Sequence, residues 1–539
     1  MGRTRGRWWP GQPGHLLAGC IALAAAPAGA QLGNFTLPAA SMTAPAVGAP
    51  LTPSAGAQPS FWTASIGVRE TLTDNVNLTP SGSADGALVT EITPSLAVNH
   101  RGSRTNLVGT IALPVLVYAP GGVASDRVYP SANLVGDVAL VQNLLFVEAA
   151  VSVTQQFFSP FGAQPASLTN PSQNRYRSDL FRVSPYIKGV TQANTSYELR
   201  NDNVWSNLSG APISTSNSYY TSFSGLASNT QTTLGWQGSF NYTDVRFNNQ
   251  SPITTQVYRV SPLYTVNPQL RLSVSGGYEE NQGTVTSSSN VTYGAGFVWH
   301  PTPRTNVAGD YEHRFFGSSY QFSFDHTTPL SAWEVSLNRT ITTYPQQIAA
   351  VPGGVNVAAF LNNLFVLRIP DPAERQSLID QFIQNRGLPS SLSSPVNLYA
   401  EQILLQQSAS ATATLIGARN TVHMTVYYQK SEPITAAGTP LPALLITGND
   451  TTQTGGAIVW THQLTPSLVL SAAADGNRTV GNAPSGGSTK QGMVRVGLSR
   501  PISPLTSAFV GARYQTLQSN VSADYTETAA FVGLNHTFR

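Results

Sequence analysis

The sequence predicts an all-β chain: a large antiparallel transmembrane β-barrel of about 22 strands, within a range of roughly 18–24, with one short helix in a long connection. Three observations lead there. A hairpin unit recurs in the second half of the chain: alternating strand, tight Pro/Thr turn, alternating strand, polar loop. Its turn-centred pieces are TVNPQLRLSVSGGY (265–278), WHPTPRTNVAGDY (299–311), HQLTPSLVLSAAADG (462–476) and SRPISPLTSAFVGARY (499–514). Charged residues make up only 10% of the 539, well below the roughly 25% of ordinary soluble domains. Yet no run of about 18 apolar residues exists that could serve as a spanning helix. Finally, short and long links alternate between strands, as in barrels with short turns at one end and long loops at the other.

Taken from the N-terminus, residues 1–30 read as a signal peptide. Arg3, Arg5 and Arg7 form a basic start, Leu16–Ala26 a short apolar core, and Ala28-Gly29-Ala30 an A-x-A cleavage site before Gln31. Within it, Leu17-Ala18-Gly19-Cys20 resembles a lipoprotein processing box, but Ile21–Ala26 extends the apolar core past Cys20, where such a box should end it. Cys20 is the sole cysteine, so a mature chain would lack disulfides, cysteine-zinc sites and a cysteine nucleophile. Cleavage would remove three arginines and no acid, taking the formal charge from +3 to zero. That leaves no electrostatic reason to expect nucleic-acid binding.

Residues 31–60 are rich in Ala, Pro, Ser and Gly and read as a disordered periplasmic linker. Residues 61–539 form the predicted barrel, with residues 346–397 a helix-containing insertion. Short links fall at His100–Arg104, Gln142–Asn143, Gly189–Ala193, Asn229–Thr232, Asn267–Gln269, Pro301–Arg304, Gly417–Thr421, Thr465–Ser467 and Pro501–Pro504. Longer polar links are expected at 73–86, 158–174, 206–217, 433–449 and 480–488. With the linker in the periplasm, the first strand runs outward, so the long loops face the exterior.

Faces separate cleanly by alternation. Leu270, Leu272, Val274, Gly276 and Tyr278 take one face while Arg271, Ser273, Ser275, Gly277 and Glu279 take the other. Aromatics near strand ends (Trp62, Trp205, Trp236, Tyr242, Trp299, Trp333, Tyr344, Trp460) fit girdles at the two lipid–water interfaces, although aromatics are also common in strands generally.

One segment breaks the β rhythm. Asp371-Pro372-Ala373-Glu374 supplies a capping residue, a proline at the first helical position and a glutamate three residues after the cap. Leu378, Ile379, Phe382 and Ile383 follow at helical spacing, and Gly387 with Pro389 provides the stop. This predicts a helix near 372–386, carrying Asp371, Glu374, Leu378, Phe382 and Gly387, in the connection between strands ending near Tyr344 and starting near Tyr399. It would either cover the rim or fold into the lumen as a plug.

These residues also carry a resemblance. TASIGVRETLTDNVNLTP followed by LVTEITPSLAVNHRGSRTNL, then DPAERQSLIDQFIQNRGLP and IGARNTVHMTVYYQKSE, resemble in order the PEP-CTERM system-associated outer-membrane β-barrel family, from about Thr63 to the end. The resemblance implies a barrel of the Gram-negative outer membrane linked to exopolysaccharide assembly and exosortase-type sorting. Its implied partners are outer-membrane lipid, the barrel-insertion machinery and exopolysaccharide export components; it supplies no functional residues. One departure is the ending His536-Thr537-Phe538-Arg539, in which the aromatic is penultimate rather than last.

No catalytic signature stands at recognisable spacing: there is no G-x-S-x-G, H-E-x-x-H or phosphate loop. His100, His300, His313, His326, His423, His462 and His536 are scattered. The expectation is therefore no enzyme, no metal and no cofactor. Charges on the polar phase of their strands are the candidate site: Arg200, Asp202, Arg271, Glu279, Asp310, Glu312, Arg314, Glu334, Asp475, Arg495, Arg513 and Glu527. An arginine facing lipid at the midplane costs about 2–4 kcal/mol, so the lumen is where they belong. There they would either rigidify the wall as ion pairs or tune solute passage, their mixed sign opposing strong selectivity. Two roles fit such a barrel: a porin-like channel or conduit for export or secretion, or a non-conducting scaffold of the envelope exopolysaccharide assembly.

Overall fold

Strand after strand of the sequence alternates apolar and polar residues between turn signals, and those segments pair in order with their chain neighbours. The computed structural model describes residues 61–119, 127–210, 213–230, 232–247, 252–282, 288–350, 355–356, 391–392, 395–397, 403–434, 450–481 and 486–538. The expected signal peptide, including Ala28, Ala30 and Gln31, the linker, and the expected helix at 372–386 lie outside the described residues.

The strands run β1 Phe61–Thr73, β2 Ala87–Arg101, β3 Thr105–Ala112 continued by Val115–Tyr118, and β4 Arg127–Val128 continued by Ser131–Val141. Then follow β5 Leu145–Phe157, β6 Arg175–Val190, β7 Ser196–Gly210, β8 Ile213–Asn229, β9 Leu234–Phe247, β10 Ile253–Asn267 and β11 Leu270–Gln282. β12 Ser288–Thr302, β13 Thr305–Arg314, β14 Gly317–Thr327 and β15 Ser331–Thr342 precede a seven-residue helix, α1 Tyr344–Ala350. β16 Leu404–Ile416, β17 Asn420–Pro433, β18 Thr451–Thr465, β19 Leu468–Gly481, β20 Ser488–Ser503, β21 Thr506–Ser519 and β22 Tyr525–Phe538 complete the wall.

Every strand is antiparallel to its neighbour, and β1 pairs with β22 from Ala64↔Phe538 to Thr73↔Ala529, so the sheet closes as a 22-strand barrel. β3 and β4 are each broken once, at Pro114 and Pro130, residues that cannot donate to the ladder. The Tyr129 amide donates to the Pro114 carbonyl at 3.0 Å, which bridges the two breaks.

The outward phase defines a belt. On β11 it reads Leu270, Leu272, Val274, Gly276, Tyr278 and then Glu280. On β9 and β17, Tyr242 and Tyr428 are likewise followed two residues later by Asp244 and Lys430, each in an ion pair with Arg246 or Glu432. Tyrosines thus end the belt at the long-loop end, while the exposed Trp62, Trp236, Trp299, Trp333 and Trp460 stand near its short-turn end. Leu270 to Tyr278 covers about 27 Å of strand at about 3.4 Å per residue. At a tilt of about 40° that is about 20 Å of height, close to the roughly 25 Å apolar band of outer-membrane barrels.

Two expectations need correction. The link placed at 206–217 is strand up to Gly210 and again from Ile213. Its Ser and Asn residues are polar because β7 and β8 continue above the belt, not because the ladder ends. Tyr344 belongs to no girdle: it is fully buried at the start of α1. The local sequence explains why. Gln346 Oε1 accepts from the Thr343 amide at 2.8 Å and from Thr343 Oγ1 at 2.9 Å, the reciprocal half of a T-x-x-Q capping box, which turns the chain off β15 into the helix.

Candidate functional site in the lumen

Side chains on the inward phase converge as the wall curves, so partners can meet across several strands. Arg259 on β10 reaches Glu312 on β13 with two bonds, Nε to Oε1 at 2.8 Å and Nη2 to Oε2. Their backbones are three strand spacings apart, about 14 Å. Arg314 on β13 reaches back across β12 to Glu279 on β11, at 2.5 and 3.1 Å. The route is cleared by Gly277, which pairs with Arg259, and Gly294, which pairs with Glu312. A Cβ on Gly277 would stand 2.2 Å from the Tyr258 carbonyl and 2.8 Å from Thr292 Oγ1. These pairs are almost fully buried. Removing one partner of such a buried pair costs about 3–5 kcal/mol, because it leaves an uncompensated charge.

All twelve charges singled out from the sequence stand on the phase opposite the outward apolar residues of their own strands. They do not gather into one site. Arg200 joins Asp202 at 2.8 Å and Glu148 at 3.0 Å, and Glu148 also binds Arg182. Arg271 donates to the Thr230 carbonyl at 3.1 Å near a turn. Among the described residues Asp310, Glu334 and Asp475 form no ion pair. The sequence list omitted Arg182, Glu148 and Arg259, although each lies on the polar phase of its strand and could have been read there.

Arg513 and Glu527, side by side on β21 and β22, do more than pair. Arg513 Nη2 donates to Glu527 Oε1 at 2.8 Å, to Asn170 Oδ1 at 2.7 Å and to Thr169 Oγ1 at 2.9 Å. Glu527 Oε1 also accepts from Thr73 Oγ1 at 2.6 Å. Thr169 and Asn170 belong to the long link 158–174, which therefore folds inward from β5 and β6. Along its length the Ala166 amide donates to Gln515 Oε1 at 3.0 Å, and Tyr118 Oη donates to the Thr169 carbonyl at 3.1 Å. Asn170 Nδ2 donates to the carbonyls of Asn75 and Val76, both at 3.2 Å. The segment spans the inside of the mouth from β5 to β20, seven strand spacings around the seam, where Thr489 Oγ1 donates to the Phe161 carbonyl and Gln491 Nε2 to the Gln164 carbonyl. Both Thr169 and Asn170 are wholly buried.

The start of this link meets α1. Phe158, Tyr176, Leu180, Val204, Leu208 and Tyr220 form one buried apolar cluster with Tyr344, Ile348 and Ala349. The hydroxyls of Tyr176 and Tyr344 hydrogen-bond to each other. The link enters this cluster at Phe158 and α1 at Tyr344, Ile348 and Ala349, so both rest on one apolar support, and they form a crossbar inside the mouth whose other end is held by Arg513–Glu527. Sequence reasoning gave 158–174 its correct bounds but not its direction. A polar Asn/Ser/Thr loop reads the same whether it projects outward or folds onto a polar lumen wall.

No protein-family model matches the chain, and no curated protein matches it. Similar solved structures include the FrpB iron transporter of Neisseria meningitidis, at 8% identity over 88% of this chain and 81% of that one, with a TM-score of 0.49. The siderophore receptor PirA of Acinetobacter baumannii matches at 8% identity over 90% of this chain and 81% of that one, with a TM-score of 0.45. OpdK of Pseudomonas aeruginosa, solved with vanillate, matches at 7% identity over 88% of this chain and 99% of that one, with a TM-score of 0.32. At such scores the architecture rests on the chain's own register. A closed antiparallel barrel of even strand number, with an apolar belt between aromatic girdles, is an outer-membrane protein.

Proposed function

We propose that the protein is an outer-membrane channel, a porin-like conduit whose mouth is restricted by the crossbar of link 158–174 and α1. The observation that carries this reading is the seating of Thr169 and Asn170 on Arg513 and Glu527. A loop folded into the lumen and bonded to its wall narrows the opening instead of capping the rim. Barrels of this strand number are wide enough to need such a restriction if passage is to be selective. The resemblance of the strand and helix motifs to the PEP-CTERM system-associated barrels favours exopolysaccharide export or secretion as the setting, with export components as partners.

Planar-bilayer recording of the purified protein tests the reading. A conduit gives discrete current steps in symmetric KCl. A protein that is folded, as judged by heat-modifiable gel migration, yet gives no steps would instead be a non-conducting scaffold.

A further inference from the structure

Among the described residues, the inner wall at the seam holds one arginine without an acid. Arg495 on β20 stands directly opposite Arg513 on β21, a like-charge pair in register, an arrangement that is unfavourable without compensation. Arg513 is neutralised by Glu527, and nearby Arg69 on β1 is neutralised by Glu91 on β2. No carboxylate or other acceptor among the described residues lies within hydrogen-bonding distance of the Arg495 guanidinium. It lies instead over the Phe531 ring, 4.6 Å from the centroid. Beside it Gly497 pairs with Gly511. The Phe531 ring packs over Gly511, where a Cβ would stand 2.5 Å from the ring.

We propose that Arg495 is an anion-binding residue of the lumen, taking the carboxylate of a small organic acid on the edge of its guanidinium. Three arginines against two carboxylates leave one positive charge at this place. The planar guanidinium, fixed by the ring beneath it, presents its donor edge for two parallel bonds to a carboxylate. A neutral solute of the same size has no partner for that charge. The site lies in the same lumen as the conduit reading, but binding does not require conduction.

Isothermal titration of the detergent-solubilised protein at low salt tests this, with glucuronate and glucose as probes. The expected result is binding of glucuronate that weakens as salt rises, with glucose at least tenfold weaker. Arg495→Gln should lose at least tenfold in glucuronate affinity, while Arg478→Gln, on the outward phase, should lose none. Equal affinity for the two sugars in the unaltered protein, or equal glucuronate binding by Arg495→Gln, overturns the proposal. The sugar comparison needs no variant, so a misfolded Arg495→Gln protein leaves it decisive. Neither outcome depends on whether the barrel conducts.

Discussion

Arg513 and Glu527 are bonded to each other at 2.8 and 3.2 Å on the last two strands, and between them they hold Thr169 and Asn170 of a loop that begins on the far side of the seam. The pair is buried, and each partner also satisfies groups that neither strand supplies. Glu527→Ala leaves the Arg513 charge without its carboxylate and the Asn170 amide with one acceptor fewer. The expected cost is about 3–5 kcal/mol, read as a lower temperature of heat-modified migration. The Ala166 amide should also exchange its hydrogen faster, because its acceptor Gln515 sits in the same cluster.

Adjacent glycines on β11 should behave in opposite ways. A Cβ on outward Gly276 meets nothing within 4 Å, whereas one on inward Gly277 strikes the Tyr258 carbonyl and Thr292. Gly276→Ala is expected to leave stability unchanged or slightly raised. Gly277→Ala should lower it by about 1–3 kcal/mol by displacing the wall between Arg259 and Glu312. Urea unfolding of both variants in lipid vesicles is the measurement, and equal midpoints would refute the crossing ion pair as a feature of the folded wall.

Tyr344 anchors α1 through both its ring and its hydroxyl. Tyr344→Phe removes the bond to Tyr176 and should cost about 1 kcal/mol. Tyr344→Ala also empties the apolar cluster and should cost about 3–5 kcal/mol. Thermal unfolding of the two variants should keep that order.

The belt is tested at Val274 and Glu280, both on the outward phase of β11. Val274→Arg places a charge against lipid and should cost about 2–4 kcal/mol of folding free energy in vesicles. Glu280→Arg lies beyond the Tyr278 girdle and should be close to neutral.

The wall was readable in the sequence because a membrane barrel repeats one rule, apolar out and polar in, and the phase of Leu270–Tyr278 or Val291–Trp299 declares it locally. What folds into the lumen obeys no such period. Asn170 and Thr169 look like any exposed loop, and their role appears only when Arg513, more than three hundred residues away in the chain, comes to bond them. Pairing between the inward charges is not written in the alternation, since Arg259 and Glu312 meet only because three strand spacings of curved wall bring their tips together. The capping signal at Thr343-x-x-Gln346 is present in the sequence, but the preceding residues alternate so regularly that Tyr344 looks like one more girdle aromatic.

The most direct test of the crossbar is the single-channel conductance of the unaltered protein beside that of a variant in which Asn170→Ala and Glu527→Gln release link 158–174 from the wall. The expected result is a larger and noisier conductance in the variant, as the link leaves the lumen. Identical conductance in two folded proteins would contradict the claim that this link restricts the mouth.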